Sequence, residues 1–194
     1  VRETPTLEGE VLLAVPGASN RAAEGLRLRR GAFGSGEHET TASCLAILAQ
    51  LPSLRRATVL DVGCGTGVLA LAALRLGAAG AICLDIDPRA AALARANAAA
   101  NGLAAQVRCV AGELASLAPV GFGVIAANLP TDVLLASAAA LVERTLPAGW
   151  LVLSGVLWEE AWAVRNRFQK LGCRCRRERW LEEYCTFLLQ NSRA

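Results

Sequence analysis

The chain has 194 residues and a mass of 20.3 kDa, enough for one domain that buries about 70% of its unfolded surface without disulfide staples. Its 54% hydrophobic and 19% charged residues exclude intrinsic disorder, and 18 glycines with 7 prolines exclude a collagen or a low-complexity chain. The formal charge of +3, from 20 basic and 17 acidic residues, is too small to indicate a nucleic-acid binder, and direct nucleic-acid contact is not expected.

After an irregular opening, the pattern predicts a helix over Thr40 to Leu51, stopped by Pro52. Ala57 to Val62 is a short apolar run meeting glycines, as a buried parallel strand should. A helix follows over Thr66 to Leu76, a strand over Ala81 to Ile86, and a helix over Pro88 to Asn101 with proline at its start and Gly102 past its end. Val107 to Ala111 and Val124 to Ala127 read as strands, Asp132 to Thr145 as a helix, Trp150 to Val156 as a strand and Trp158 to Leu171 as a helix. The end, Cys173 to Leu189, reads as two antiparallel strands around Leu181 and Glu182. Strands alternating with helices predict an α/β fold whose parallel sheet is covered on both faces.

The most apolar stretch, Val68 to Asp85, is broken by Arg75, so no membrane span is expected. The opening VRETPTLEGE is not a basic segment followed by an apolar one, which predicts no secretory signal and a cytoplasmic protein. The cysteines are odd in number and contain no C-x-x-C, so they read as buried free thiols. A single histidine, His38, excludes any two-histidine metal site, and no metal is expected. Arg174, Arg176, Arg177 and Arg179 read as a solvated strand face. Trp150, Trp158, Trp162 and Trp180 read as core or edge fillers.

Asp61-Val-Gly63-Cys-Gly65-Thr-Gly67 joins the first strand to its helix, where backbone N–H groups and a helix N-terminus meet ligands of such sheets. The glycines are expected to let a ligand lie on the backbone. Dinucleotide sites use G-x-G-x-x-G, and Val68 departs from that spacing. An acidic residue followed by G-x-G-x-G instead resembles the loop of S-adenosylmethionine-dependent methyltransferases. Asp85 closes the next strand, where a carboxylate holds a ribose diol, and Asp87 before Pro88 reads as a helix N-cap.

Phe33-Gly34-Ser35-Gly36-Glu37-His38-Glu39-Thr40-Thr41 resembles the F-G-T-G-x-H-x-T-T signature of the methyltransferases that modify large-subunit ribosomal protein eleven. DVGCGTGVLALAALRLGA, Asp85-Ile-Asp87-Pro88, Asn97-Ala-Ala-Ala-Asn101-Gly102, Ala127-Asn128-Leu129 and Leu153-Ser154-Gly155-Val156-Leu157 follow in the family's order. The resemblance runs from about residue 30 to 171. It implies a class I S-adenosylmethionine-dependent methyltransferase fold: a mostly parallel seven-stranded sheet with helices on both faces and an antiparallel C-terminal strand. It also implies transfer to lysine or N-terminal amines of a protein, with a ribosomal protein as the partner.

Carried over by position, Thr41, Gly63, Asp85 and Asn128 would contact the cofactor, joined by Asp61, Gly65 and Gly67 of the loop. Glu113 is a further candidate, for the adenine amino group, or else a solvated loop residue. Asn128 and His38 are the catalytic candidates. The Asn128 carbonyl would orient an amine or merely cap a turn, and His38 would relay a proton or anchor its loop. The family carries an N-terminal recognition domain, for which the residues before Phe33 are too few. The expected organisation is therefore an N-terminal segment or linker remnant over 1–30 and a methyltransferase domain over 31–194. The alternatives are transfer to another protein lysine, a small amine or RNA, and a non-catalytic cofactor-binding module.

Overall fold

A computed structural model describes residues 10–17, 25–29 and 38–193. Seven strands form one sheet in the order β5-β4-β3-β6-β7-β9-β8: β3 (Thr58–Val62), β4 (Gly80–Asp85), β5 (Val107–Ala111), β6 (Phe122–Asn128), β7 (Thr145–Leu157), β8 (Cys173–Trp180) and β9 (Tyr184–Asn191). β5, β4, β3, β6 and β7 pair in parallel, and β9 runs antiparallel to both β7 and β8. The order reverses between β3 and β6, so β3 and β6 flank the switch point where α/β sheets place ligands. The seven-stranded fold with its antiparallel last strand is the one expected.

The strand sequences divide the core by period two. Val59 of β3, Val124 and Ala126 of β6 and Val152 of β7 enter one apolar cluster. Leu60, Ile125, Ala127, Leu151 and Leu153 enter the other. Helices α1 (Glu39–Ala49), α2 (Val68–Arg75) and α3 (Pro88–Ala100) cover the first face, and α4 (Thr131–Glu143) and α5 (Ala161–Lys170) the second. Because apolar residues occupy both faces, β3 and β6 carry continuous hydrophobic runs rather than alternation. The same parity sends Asp61, Asp85 and Asn128 to the first face.

Two differences from the sequence reading have physical causes. The expected irregular opening contains a hairpin, β1 (Glu10–Leu13) with β2 (Leu26–Arg29), in which Leu26 and Leu28 are fully buried. Asn97 on α3 and Asn101, the C-cap one turn later, hold it. Asn97 Oδ1 accepts from Arg29 N at 2.9 Å, while Asn101 accepts from Arg27 N and donates to Arg27 O. Asn97 Nδ2 also donates to Thr66 O in the glycine loop at 2.9 Å. One buried amide thus ties the hairpin to that loop. The second difference is β7, which starts at Thr145 rather than Trp150. Its pairing to β6 shifts register between Phe122 and Val124, and Ala148 takes φ 58°. Leu146-Pro147-Ala148-Gly149 forms a bulge that reads locally as a turn.

All seven cysteines are free thiols, five of them buried. Burial pushes Cys44 and Cys185 up to about 12, which makes them inert side chains of the core. Among the described residues no helix is long and apolar enough to cross a membrane, and no cluster has the ligands of a metal site.

Candidate active site

The loop between β3 and α2 is built on three left-handed glycines, Gly63 (φ 68°), Gly65 (φ 52°) and Gly67 (φ 79°). The expected reason for these glycines was room for a ligand, and the structure adds packing. A Cβ on Gly63 would stand 2.3 Å from Leu129 Cδ2, and one on Gly67 would stand 3.0 Å from Ala94 Cβ. Leu129 and α3 therefore press against the loop only because glycines occupy those positions.

Gly67 is the N-cap of α2 and has no side chain to satisfy the helix's free N–H groups. Asp61 does so from inside the sheet, its Oδ2 accepting from Ala70 N at 3.1 Å. This carboxyl is 2% exposed. Burial, opposed by the Ala70 hydrogen bond and reinforced by the Asp85 charge, pushes its pKa up to about 7. The folded state therefore holds a proton that the unfolded chain releases near 3.8. Stability from this group is full below 3.8 and is lost as pH rises toward about 7. Asp61→Asn keeps an acceptor for Ala70 but removes the titration. Its melting temperature relative to wild type should rise between roughly pH 5 and pH 8, by the equivalent of up to about 3 kcal/mol. Thermal melts with the same difference at both pH values would contradict this.

At the carboxyl edge of the sheet a cavity of about 970 Å³ opens between the glycine loop, the end of β4, the segment after β5 and the flank of α4. Gly63, Gly65, Asp85 and Glu113 line it, with Ile86, Leu114, Leu129 and Pro130 among its apolar walls. The Asp85 carboxylate is fixed by two backbone donors, Gly65 N to Oδ2 at 2.9 Å and Asp87 N to Oδ1 at 3.0 Å. Each carboxylate oxygen thereby keeps acceptor capacity, so the group presents two aligned acceptors on the cavity wall. Asp87 is the N-cap of α3, accepting from Arg89 N at 2.8 Å, as the sequence indicated. Its pairing with the Arg89 guanidinium holds its carboxyl below the usual value.

His38, Thr41 and Asn128 form a second group, turned toward α1. Asn128 Nδ2 donates to Thr40 Oγ1 at 3.1 Å and to Thr41 Oγ1 at 3.3 Å. His38 is the N-cap of α1; its Nδ1 accepts from Thr40 N and lies 2.8 Å from Thr40 Oγ1. With Thr40 Oγ1 accepting from Asn128, its own hydrogen points to His38 Nδ1, which places the imidazole hydrogen on Nε2. The His38 ring meets Tyr184 edge-on, with centroids 5.5 Å apart.

The structure thus gathers four of the expected residues around one cavity, sets three beside α1, and puts Asp61 and Gly67 at the start of α2. Phe33 to Glu37 of the expected signature lie outside the described residues. Ile86, Leu129 and Pro130 line the cavity but were not among the expected site residues. Ile86 is 78% exposed, and an apolar residue between two strand-end aspartates was the signal that marked it.

Similar sheets occur in solved structures. A ribosomal protein L11 methylase from Lactobacillus delbrueckii subsp. bulgaricus superposes with a TM-score of 0.77 at 24% identity, covering 83% of this chain and 81% of that one. An RNA methyltransferase from Salinibacter ruber, solved with S-adenosyl-L-homocysteine, gives a TM-score of 0.61 at 21% identity over 75% of this chain and 88% of that one. The fold is that of class I methyltransferases. The profile of the ribosomal protein L11 methyltransferase (PrmA) family matches residues 10–192, and the chain belongs to that family. Curated relatives that carry the name include one from Pelobacter propionicus, 46% identical over 74% of this chain and 48% of the relative. Another, from Geobacter metallireducens, is 43% identical over 73% of this chain and 46% of the relative. The chain spans about half the length of these curated relatives.

Proposed function

We infer that the chain is an S-adenosylmethionine-dependent methyltransferase acting on lysine or N-terminal amines of a ribosomal protein. The acceptor named for its relatives is ribosomal protein L11, and such an acceptor implies a cytoplasmic site of action. The carrying observation is Asp85, held by Gly65 and Asp87 on the wall of a 970 Å³ cavity beside the glycine loop. Two aligned carboxylate acceptors suit a ribose diol, and the exposed Ile86 offers an apolar surface for the base. Glu113, on the same wall, is the candidate partner for an exocyclic amine. Once bound, S-adenosylmethionine supplies an electrophilic methyl group carried on a sulfonium.

The protein's own part is positioning and proton control. The Gly63 and Gly65 backbone forms the cradle, and Asp61 and Gly67 act from below by fixing the start of α2. Thr41, Asn128 and His38 make the acceptor side of the rim. With its nitrogen committed to two threonines, Asn128 offers its oxygen to an amine N–H and so orients the lone pair. His38 holds Thr40 in place and reaches a proton only through Nε2. Keeping a lysine neutral at pH 7 costs about 4.6 kcal/mol, against about 1 kcal/mol for an N-terminal amine. Exclusion of water at the rim lowers that cost by disfavouring the ammonium. Residues 31–194 are proposed as the catalytic unit, with the segment ahead of it anchored through β2.

Incubation with methyl-labelled S-adenosylmethionine and purified ribosomal protein L11, other basic proteins, small amines or RNA tests the reading. Label is expected on amines of the ribosomal protein. Label in RNA alone would overturn the acceptor class, and cofactor binding without transfer to any pool would make the chain a binding module.

A further inference from the structure

At the corner where β7 and β8 end, three tryptophans face solvent. Trp158, Trp162 and Trp180 are 59%, 66% and 56% accessible, so the expectation that they fill the core or edge fails for these three. Large aromatic side chains grouped on a surface mark contact sites, because each forgoes burial that the core would reward. The two segments carrying them are held side by side. Trp158 N donates to Glu183 O at 3.0 Å, Leu157 pairs with Tyr184, and Trp180 pairs with Cys185.

The same segments carry four exposed carboxylates, Glu159, Glu160, Glu182 and Glu183. None forms an ion pair among the described residues. Glu159 and Glu160 complement the N-terminus of α5. Glu182 and Glu183 lie in the turn between β8 and β9, where no helix calls for a charge. Of the β8 arginines, Arg176 is bonded to Gln190 and Arg177 to Gln50; Arg179 stands next to Trp180, one guanidinium against the four carboxylates. The surface also adjoins the acceptor side of the rim, since Tyr184 touches His38, which leads through Thr40 to Asn128.

We propose that this aromatic and acidic corner docks a lysine-bearing segment of the acceptor protein and delivers it to the rim. The inference rests on the amine acceptor argued above and adds where that acceptor is held. Indole faces take an ammonium group and its alkyl stem by cation–π contact, and the four carboxylates draw in positive charge. Phosphate groups of RNA meet repulsion on the same surface, and so does a second copy presenting the same carboxylates.

The probe is a synthetic peptide of alternating lysine and alanine, titrated into the full chain by calorimetry and tryptophan fluorescence. A glutamate–alanine peptide and polyuridine serve as controls. Saturable binding of the lysine peptide, weakened by salt, is expected. Trp162→Ala and the combined Glu159→Gln, Glu160→Gln, Glu182→Gln and Glu183→Gln variant should each weaken it by about tenfold or more. Their S-adenosylmethionine affinity should match wild type, with melting temperatures within a few degrees of it. Lysine-peptide binding unchanged in both variants, binding of polyuridine instead, or self-association abolished by Trp162→Ala would overturn the proposal. Peptide binding is read without turnover. A chain that binds the peptide through this corner but transfers no methyl group would support the surface and overturn the activity.

Discussion

Replacing Asp85 by alanine is expected to weaken S-adenosylmethionine binding by roughly 1–3 kcal/mol, about 5- to 150-fold in Kd. The carboxylate supplies two charge-assisted acceptors, and water in its place supplies neither with the same alignment. It also accepts from Gly65 N and Asp87 N, so part of the loss comes from a loosened loop. Asp85→Asn separates the two contributions, since it retains an acceptor for one backbone N–H and removes the charge. Calorimetric titration should rank wild type above Asp85→Asn and Asp85→Ala, with melting temperature falling most in the alanine variant. An affinity equal to wild type in both variants would remove the ribose assignment.

Asn128→Ala should act on turnover rather than on cofactor binding. The cavity wall is formed by Leu129 and Pro130, the residues after Asn128, whereas the Asn128 amide is turned to Thr40 and Thr41. Losing it frees both threonines, loosens His38 and removes the carbonyl that orients the amine. Misplacement on that scale lowers kcat by about 10- to 100-fold. S-adenosylmethionine affinity should stay within about twofold of wild type, because the deleted group acts on the acceptor. Full turnover with a lowered melting temperature would reduce Asn128 to a tie between β6 and α1.

The parallel half of the sheet was legible because its strands are buried on both faces and so spell continuous apolar runs. β3 and β5 end at the residues the sequence indicates, and α3 begins at Pro88 behind its Asp87 cap. The hairpin was not legible. Leu26 and Leu28 alternate with arginines, but over only four residues, and the partners that fix it are Asn97 and Asn101 far along the chain. The register break at Phe122 and Val124 hid the first part of β7 for a similar reason. Its proline and glycine carry turn chemistry, and only the neighbouring strand shows that pairing resumes.

At the site, the glycine loop and Asp85 were readable because a βα turn and a strand end fix where side chains can reach. The division of labour among the acidic and polar residues was not. Asp61 and Asp85 look alike in sequence, yet one caps a buried helix and the other lines the cavity. Trp158, Trp162 and Trp180 were misread because indoles are usually covered, as Trp150 is against the first cluster. Their exposure reflects a corner where, among the described residues, no further element packs on the ends of β7 and β8.

The most direct measurement is a crystal structure of the chain grown with S-adenosylhomocysteine at saturating concentration. The ribose hydroxyls should lie about 2.6–3.2 Å from the two Asp85 carboxylate oxygens, with the base against Ile86 and the sulfur facing the Asn128 side of the rim. A nucleoside bound elsewhere, or one whose sugar lies out of reach of Asp85, would contradict the account.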